Sequence, residues 1–166
     1  MSRIIIAIDP GSAGAIAWKD TKGEVHCEYM PGTPMDILNL FRNISSETDN
    51  NGNLVCKSSE VIAYLEDVGA GRPGQAVGAM TKFARHNGHL EAFLLAEGFV
   101  IRKVLPNTWM KTLGLGSSKS CKDKTEWKNK LKAKSQELFP QFNVTAKNQD
   151  ALLILDYANK IETKSF

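Results

Sequence analysis

Ile4, Ile5, Ile6, Ala7 and Ile8 form an unbroken apolar run that ends at Asp9 and the turn Pro10-Gly11-Ser12. A run of this length, rich in β-branched residues, predicts a buried strand from Arg3 to Asp9. Gly14 to Trp18 reads as its hairpin partner. Glu24 to Tyr29, beyond the turn Thr21-Lys22-Gly23, reads as a third strand. Polarity then changes period. Ile37, Leu40, Phe41 and Ile44 recur at i, i+3, i+4 and i+7, behind Thr33 as N-cap, Pro34 at the first helical position and Asp36 in the first turn. Ser45 to Asn53 is polar and reads as a surface loop.

Val61 to Leu65 is a second buried strand, and it runs into Glu66-Asp67. The Gly-rich loop Gly69 to Gly74 leads to a long helix, Gln75 to Glu97, with Val77, Met80, Phe83, Ala84, Leu90 and Leu94 as its apolar face and Gly98 as its stop. Phe99 to Leu105 is a fifth strand closed by Pro106. Asn107 to Lys111 is a short helix, and Leu113 to Lys122 is rich in Gly, Ser and Lys. Asp123, with Glu126 three residues on, predicts a capped helix whose Trp127, Leu131 and Leu138 face inward and which Pro140 ends. The last helix is expected from about Lys147 to Ile161. There is no internal repeat. The order βββαβαβα predicts one α/β domain over residues 1–166. Its mixed five-stranded sheet has three sequential antiparallel strands, then two parallel strands, with helices on its faces.

Composition excludes several classes. The length suits one domain that buries a core without disulfides. Cys27, Cys56 and Cys121 are far apart and odd in number, which suggests neither a disulfide framework nor a zinc site and fits a reducing, cytoplasmic setting. The N-terminal apolar run is too short for a signal peptide, and no stretch has the length of a membrane span. Net charge is only +3, but it is uneven. Between Lys111 and Lys134 lie eight lysines (111, 119, 122, 124, 128, 130, 132 and 134) against Asp123 and Glu126. That block carries +6, so the remainder of the chain sums to −3. Lys124, Lys128 and Lys132 repeat at i+4 and make one outward stripe. A basic block on a mildly acidic body points to a polyanionic partner; a solvated lysine-rich face is the plain alternative.

The chemistry is carried by acids. A carboxylate where a buried strand meets a turn is unfavourable unless a metal, a hydrogen-bond donor or water compensates it. Asp9 and Glu66 both end buried strands, and Asp150 opens the apolar helical run Ala151-Leu152-Leu153-Ile154-Leu155. Each alone reads as a turn or capping residue. Together they could converge on one divalent-cation site. Asp67 neighbours Glu66 on its strand and is expected to face the other way.

Four motifs in order, Ile8-Asp9-Pro10-Gly11, Leu65-Glu66-Asp67-Val68, Pro106-Asn107-Thr108-Trp109-Met110-Lys111 and Gln149-Asp150-Ala151-Leu152-Leu153-Ile154, resemble the RuvC family of Holliday-junction resolvases, in particular its divergent bacteriophage members. The likeness runs from Ile4 to Ala158. It implies a ribonuclease-H-like fold and a homodimer that cuts four-way DNA junctions, with other branched DNA as further substrates. It also implies two Mg²⁺ or Mn²⁺ ions per site, no nucleotide cofactor, and Asp9, Glu66 and Asp150 as ligands with Asp9 between the ions. The Gln75–Glu97 helix would form the dimer interface. Arg72, in the loop expected at the junction centre, would contact DNA, as would Lys111, Lys119, Lys122, Lys124, Lys128 and Lys132. The pattern departs in one place. Where the family carries an acid or His one turn before the last Asp, this chain has Lys147, expected on the face of Asp150 either as a phosphate-holding or water-orienting group or as an exposed residue with no part in the chemistry.

Weaker motifs point elsewhere. His86 and His89 have no third ligand near in sequence. Gly114 to Ser120 lacks the glycine spacing of a phosphate-binding loop. Trp109 and Trp127 sit at helical spacing that suits packing as well as base stacking. A non-catalytic junction binder of the same fold, and a fragment of an actin-like ATPase, are the rival readings. The second needs another domain of similar fold, for which the chain has no room.

Overall fold

The computed structural model describes residues 3–46, 48, 51–54, 56–68 and 76–164. Five strands, β1 (Ile5–Asp9), β2 (Ala15–Lys19), β3 (Val25–Tyr29), β4 (Ile62–Glu66) and β5 (Val100–Val104), form one sheet in the order β3-β2-β1-β4-β5. β1 pairs antiparallel with β2 and β2 with β3, whereas β1 with β4 and β4 with β5 are parallel. This is the mixed ribonuclease-H-like sheet that the alternation of hairpins and helices predicts. The isoleucine run is the central strand, which explains why it is apolar at successive positions and not at alternate ones.

Two cores lie on opposite faces, as the two-residue period of a strand requires. Ile4, Ile6, Ile8, Ile16, Ala63 and Leu65 point to one face, covered by α1 (Pro34–Ser45) and the end of α2 (Val77–Ala96). Ile5, Ala7, Ala15, Ala17, Ile62 and Tyr64 point to the other, covered by α5 (Gln149–Lys164). α5 in turn is packed against α3 (Pro106–Thr112) and α4 (Lys124–Leu138). Sandwiched between the sheet and two helices, the first turns of α5 are apolar on every side, and Ala151 to Leu155 are fully buried.

Three local expectations change. α2 buries only Leu90 and Leu94, while Val77 is 75% exposed. Twenty helical residues extend about 30 Å, whereas five-residue strands extend roughly 17 Å, so the first half of α2 overruns the sheet. α5 begins at Gln149 rather than Lys147 and continues to Lys164. At the start of α4, Asp123 accepts from the N–H groups of Thr125 and Glu126 as a cap should. Glu126 reaches past it, however, to the N–H of Lys122 at 2.6 Å, so the reciprocal bond of a capping box is not made. Among the described residues, no helix is long and apolar enough to cross a membrane.

Candidate active site

Strand register places the first two acids. Ile8 of β1 lies opposite Leu65 of β4, so the next residues, Asp9 and Glu66, end adjacent parallel strands on the same face. The turn after Asp9 is tight. Gly11 holds a left-handed φ of 106°, and the N–H of Gly14 returns to its carbonyl at 3.0 Å. A Cβ at Gly14 would overlap the Asp9 carbonyl oxygen and lie 3.3 Å from the Asp9 carboxyl carbon. Glycine at 14 is therefore what lets the chain fold back beside this carboxylate.

Asp150 arrives from the other layer, in the first turn of α5. The chain before it is fixed by side chains. Gln136 of α4 donates to the Phe142 carbonyl at 2.9 Å and accepts from the Val144 N–H at 3.2 Å. The buried Asn148 accepts from the Thr145 N–H at 2.7 Å, and the Tyr29 and Thr145 hydroxyls lie 3.3 Å apart, tying this entry to the edge strand. α5 thus starts at one place above the ends of β1 and β4.

The three carboxyls feel one another. Burial, then the negative charges of Asp150 and Glu66, push the Asp9 carboxyl up to about 8. Burial likewise raises Glu66 to about 7, opposed by a hydrogen bond from Trp109 and reinforced by Asp150. Asp150 is raised by burial, against the Gln149 side chain and the positive charge of Lys128. Burial is the first cause of all three shifts, and repulsion between the acids adds to it at Asp9 and Glu66. Glu66 is 6% exposed, and its Oε1 accepts from the indole N–H of the fully buried Trp109 at 2.9 Å. Asp150 Oδ1 is buried with no hydrogen-bond partner. Hard oxygen donors with raised proton affinity and an orphaned oxygen suit a divalent cation such as Mg²⁺ or Mn²⁺. No His or Cys belongs to the set, which disfavours zinc.

The one group of three ligand atoms within 4.8 Å of one another among the described residues lies elsewhere, at Asp20, Glu24 and His26. It closes the β2–β3 turn at the far end of the sheet. Asp20 accepts there from the N–H groups of Lys22 (2.9 Å) and Glu24 (2.8 Å) and lies 2.9 Å from His26 Nε2. Its oxygens are already engaged, and turn closure accounts for it. The Asp9, Glu66 and Asp150 oxygens are spread more widely.

Lys147 stands apart from the acids' helix. α5 begins at Gln149, Lys147 lies in the turn just before it, and the Lys147 ammonium lies over the Tyr29 ring, 5.7 Å from its centroid. The cation whose charge reaches Asp150 is Lys128 of α4. Lys124, Lys128 and Lys132 are all exposed along α4 and ion-paired with no described residue. Lys111, Lys119 and Lys122 are exposed on α3 and on the connection to α4. Lys130 is instead drawn over the Trp127 ring at 5.7 Å, and Lys134 pairs with Glu137 at 2.8 Å. Asp67 faces away from Glu66, near Lys103, which is paired with Glu91 of α2. Arg72 and the loop around it lie outside the described residues. The indole bond of Trp109 is the feature that spacing could not expose: Trp109 is 43 residues from Glu66, and only packing brings them together.

No family model matches the chain, and no curated protein matches it. Solved structures do. The chain superimposes on RuvC of T. thermophilus in complex with a Holliday junction substrate with a TM-score of 0.59, covering 96% of this chain and 97% of that one at 10% identity. A second Thermus thermophilus RuvC structure matches at a TM-score of 0.55 with the same coverage and identity. The fold is therefore that of the RuvC nucleases over nearly the whole chain.

Proposed function

We propose that this protein is a metal-dependent endodeoxyribonuclease that resolves four-way DNA junctions. The observation that carries the reading is the meeting of Asp9, Glu66 and Asp150, from two strands and a helix, with their proton affinities raised. They meet in a fold shared end to end with a RuvC captured on a Holliday junction. A protein that only bound junctions would gain nothing from gathering one buried and two half-buried acids, because crowded like charges destabilise the fold and repel phosphate.

In this reading Asp9, Glu66 and Asp150 would hold the cations. When bound, two divalent ions lower the pKa of water and stabilise charge on the scissile phosphate and the departing 3′-oxygen. The lysines do a different task. Lys124, Lys128 and Lys132 on α4, with Lys111, Lys119 and Lys122 beside them, bind the phosphate backbone and offset the repulsion between DNA and the acids. Lys128, closest in effect to Asp150, holds a phosphate near the scissile bond. Lys147 on Tyr29 serves as a further backbone contact at the sheet edge, outside the metal cage. Arg72 is assigned to the junction centre. Two cuts in one junction need two equivalent sites, so the active species is a two-fold homodimer. The exposed first half of α2, with Val77 at its tip, supports that helix as the contact.

The test is cleavage of synthetic four-way, Y-shaped and linear duplex DNA side by side with Mg²⁺, Mn²⁺ or EDTA. Paired nicks in the four-way junction that require metal are expected, with linear duplex left intact. Tight junction binding with no cleavage under any metal would establish the non-catalytic binder instead.

A further inference from the structure

We propose that Trp109 is a positioning residue of the site, whose indole N–H fixes one oxygen of Glu66 so that the other serves as the metal ligand. The proposal rests on the reading of Glu66 as a ligand. It stands on geometry: a 2.9 Å bond from Nε1 to Oε1, with the indole fully buried and the carboxylate 6% exposed. A buried indole needs a partner for its N–H, and a buried carboxylate needs donors, so each group answers the other's requirement. The donor type matters. An Arg or Lys at this place would orient the carboxylate equally well but would repel a divalent cation. Indole N–H is a neutral donor with no acceptor capacity, so it orients the ligand and favours its ionised form without competing for the metal. Its mounting is rigid, because Trp109 sits on α3, which packs against α5, the helix that carries Asp150. The same residue thereby sets the position of one ligand relative to another.

The readout is Mn²⁺ affinity of the full-length protein without DNA, measured by electron paramagnetic resonance of the free ion. Trp109→Phe removes the N–H and keeps most of the ring. It should weaken Mn²⁺ binding by roughly 10- to 100-fold, the range for losing a partner that orients a metal ligand. In a Glu66→Gln background the same change should have little further effect. Should Trp109→Phe unfold the protein, benzothienylalanine at position 109 places sulfur where the N–H was at nearly equal volume, and the same loss is expected. A folded variant of either kind that binds Mn²⁺ within twofold of wild type, while Glu66→Gln binds weakly, overturns the role of Trp109 and spares the ligand assignment. If Glu66→Gln also binds as wild type, both fall together.

Discussion

At the scale of single residues, the three acids make opposite demands on folding and on function. Asp9→Asn should reduce cleavage to background while junction affinity stays within a few-fold of wild type. The change removes one ligand's charge and leaves the lysines in place. Near-normal cleavage by this variant would refute the assignment. The raised carboxyl of Asp9 also sets a sign for pH. Its folded value of about 8 lies above the ordinary carboxyl value of 3.8, so between those limits the folded state binds more protons than the unfolded chain. Stability of the metal-free protein should therefore fall as pH rises from about 5 to 8. A tenfold difference in proton affinity is worth about 1.4 kcal/mol, or roughly 3–5 °C in Tm for a domain of this size. Calorimetry with EDTA should show that decline, and it should flatten in Asp9→Asn and recover on adding Mg²⁺. A decline of equal slope in wild type and Asp9→Asn would place its origin elsewhere. Lys147 is seated over the Tyr29 ring. Lys147→Ala should weaken junction binding modestly and leave the single-turnover rate at saturating protein unchanged. A lower rate with normal binding would return Lys147 to the chemistry.

At the scale of elements, α4 divides its labour by face. Trp127 and Leu131 bury one side, and Lys124, Lys128 and Lys132 line the other. None of those lysines makes an ion pair with a described residue, whereas Lys134 is paired and Lys130 is held on an indole. Replacing the three stripe lysines with Ala should lower the slope of log affinity against log salt by up to ~0.9 for each lost duplex phosphate contact. Replacing Lys134 should leave the slope nearly unchanged. A triple variant with the wild-type slope would make the stripe ordinary solvated surface. α3 shows how short an element can be and still matter: seven residues, one buried indole, and the bond to Glu66.

At the scale of the molecule, one end of the sheet carries everything that the proposed reaction needs. The ends of β1 and β4, the start of α5 and the basic face of α4 meet there, and the opposite end is closed by the Asp20 turn. One such site accounts for one cut. Sedimentation analysis at micromolar concentration should therefore find a dimer, and charged substitutions at Val77 and Met80 on the exposed half of α2 should dissociate it. They should also turn paired cleavage into single nicks. A wild-type monomer that persists with junction DNA present would contradict the two-site arrangement.

What the sequence determined by itself was whatever depends on local period and on chemistry at element ends. The isoleucine run, the Thr33-capped helix and the strand-to-acid boundaries at Asp9 and Glu66 are legible because burial period and turn propensity act over a few neighbours. The topology followed too, since hairpins and helical crossovers permit few sheets. Tertiary structure decided what depends on which surfaces meet. α2 has an apolar pattern over its full length, yet only its second half finds a sheet to cover. Lys147 lies in the turn that leads into α5, held by the bonds of Thr145 and Asn148, and its ammonium rests over the Tyr29 ring of the edge strand, a contact that spacing along one helix does not contain. Trp109 reads as packing by its helical position, and it becomes the partner of Glu66 because α3, seated against α5, carries its buried indole N–H to the end of β4. Proton affinities, likewise, follow from the depth and mutual distance of charges, which no linear spacing contains.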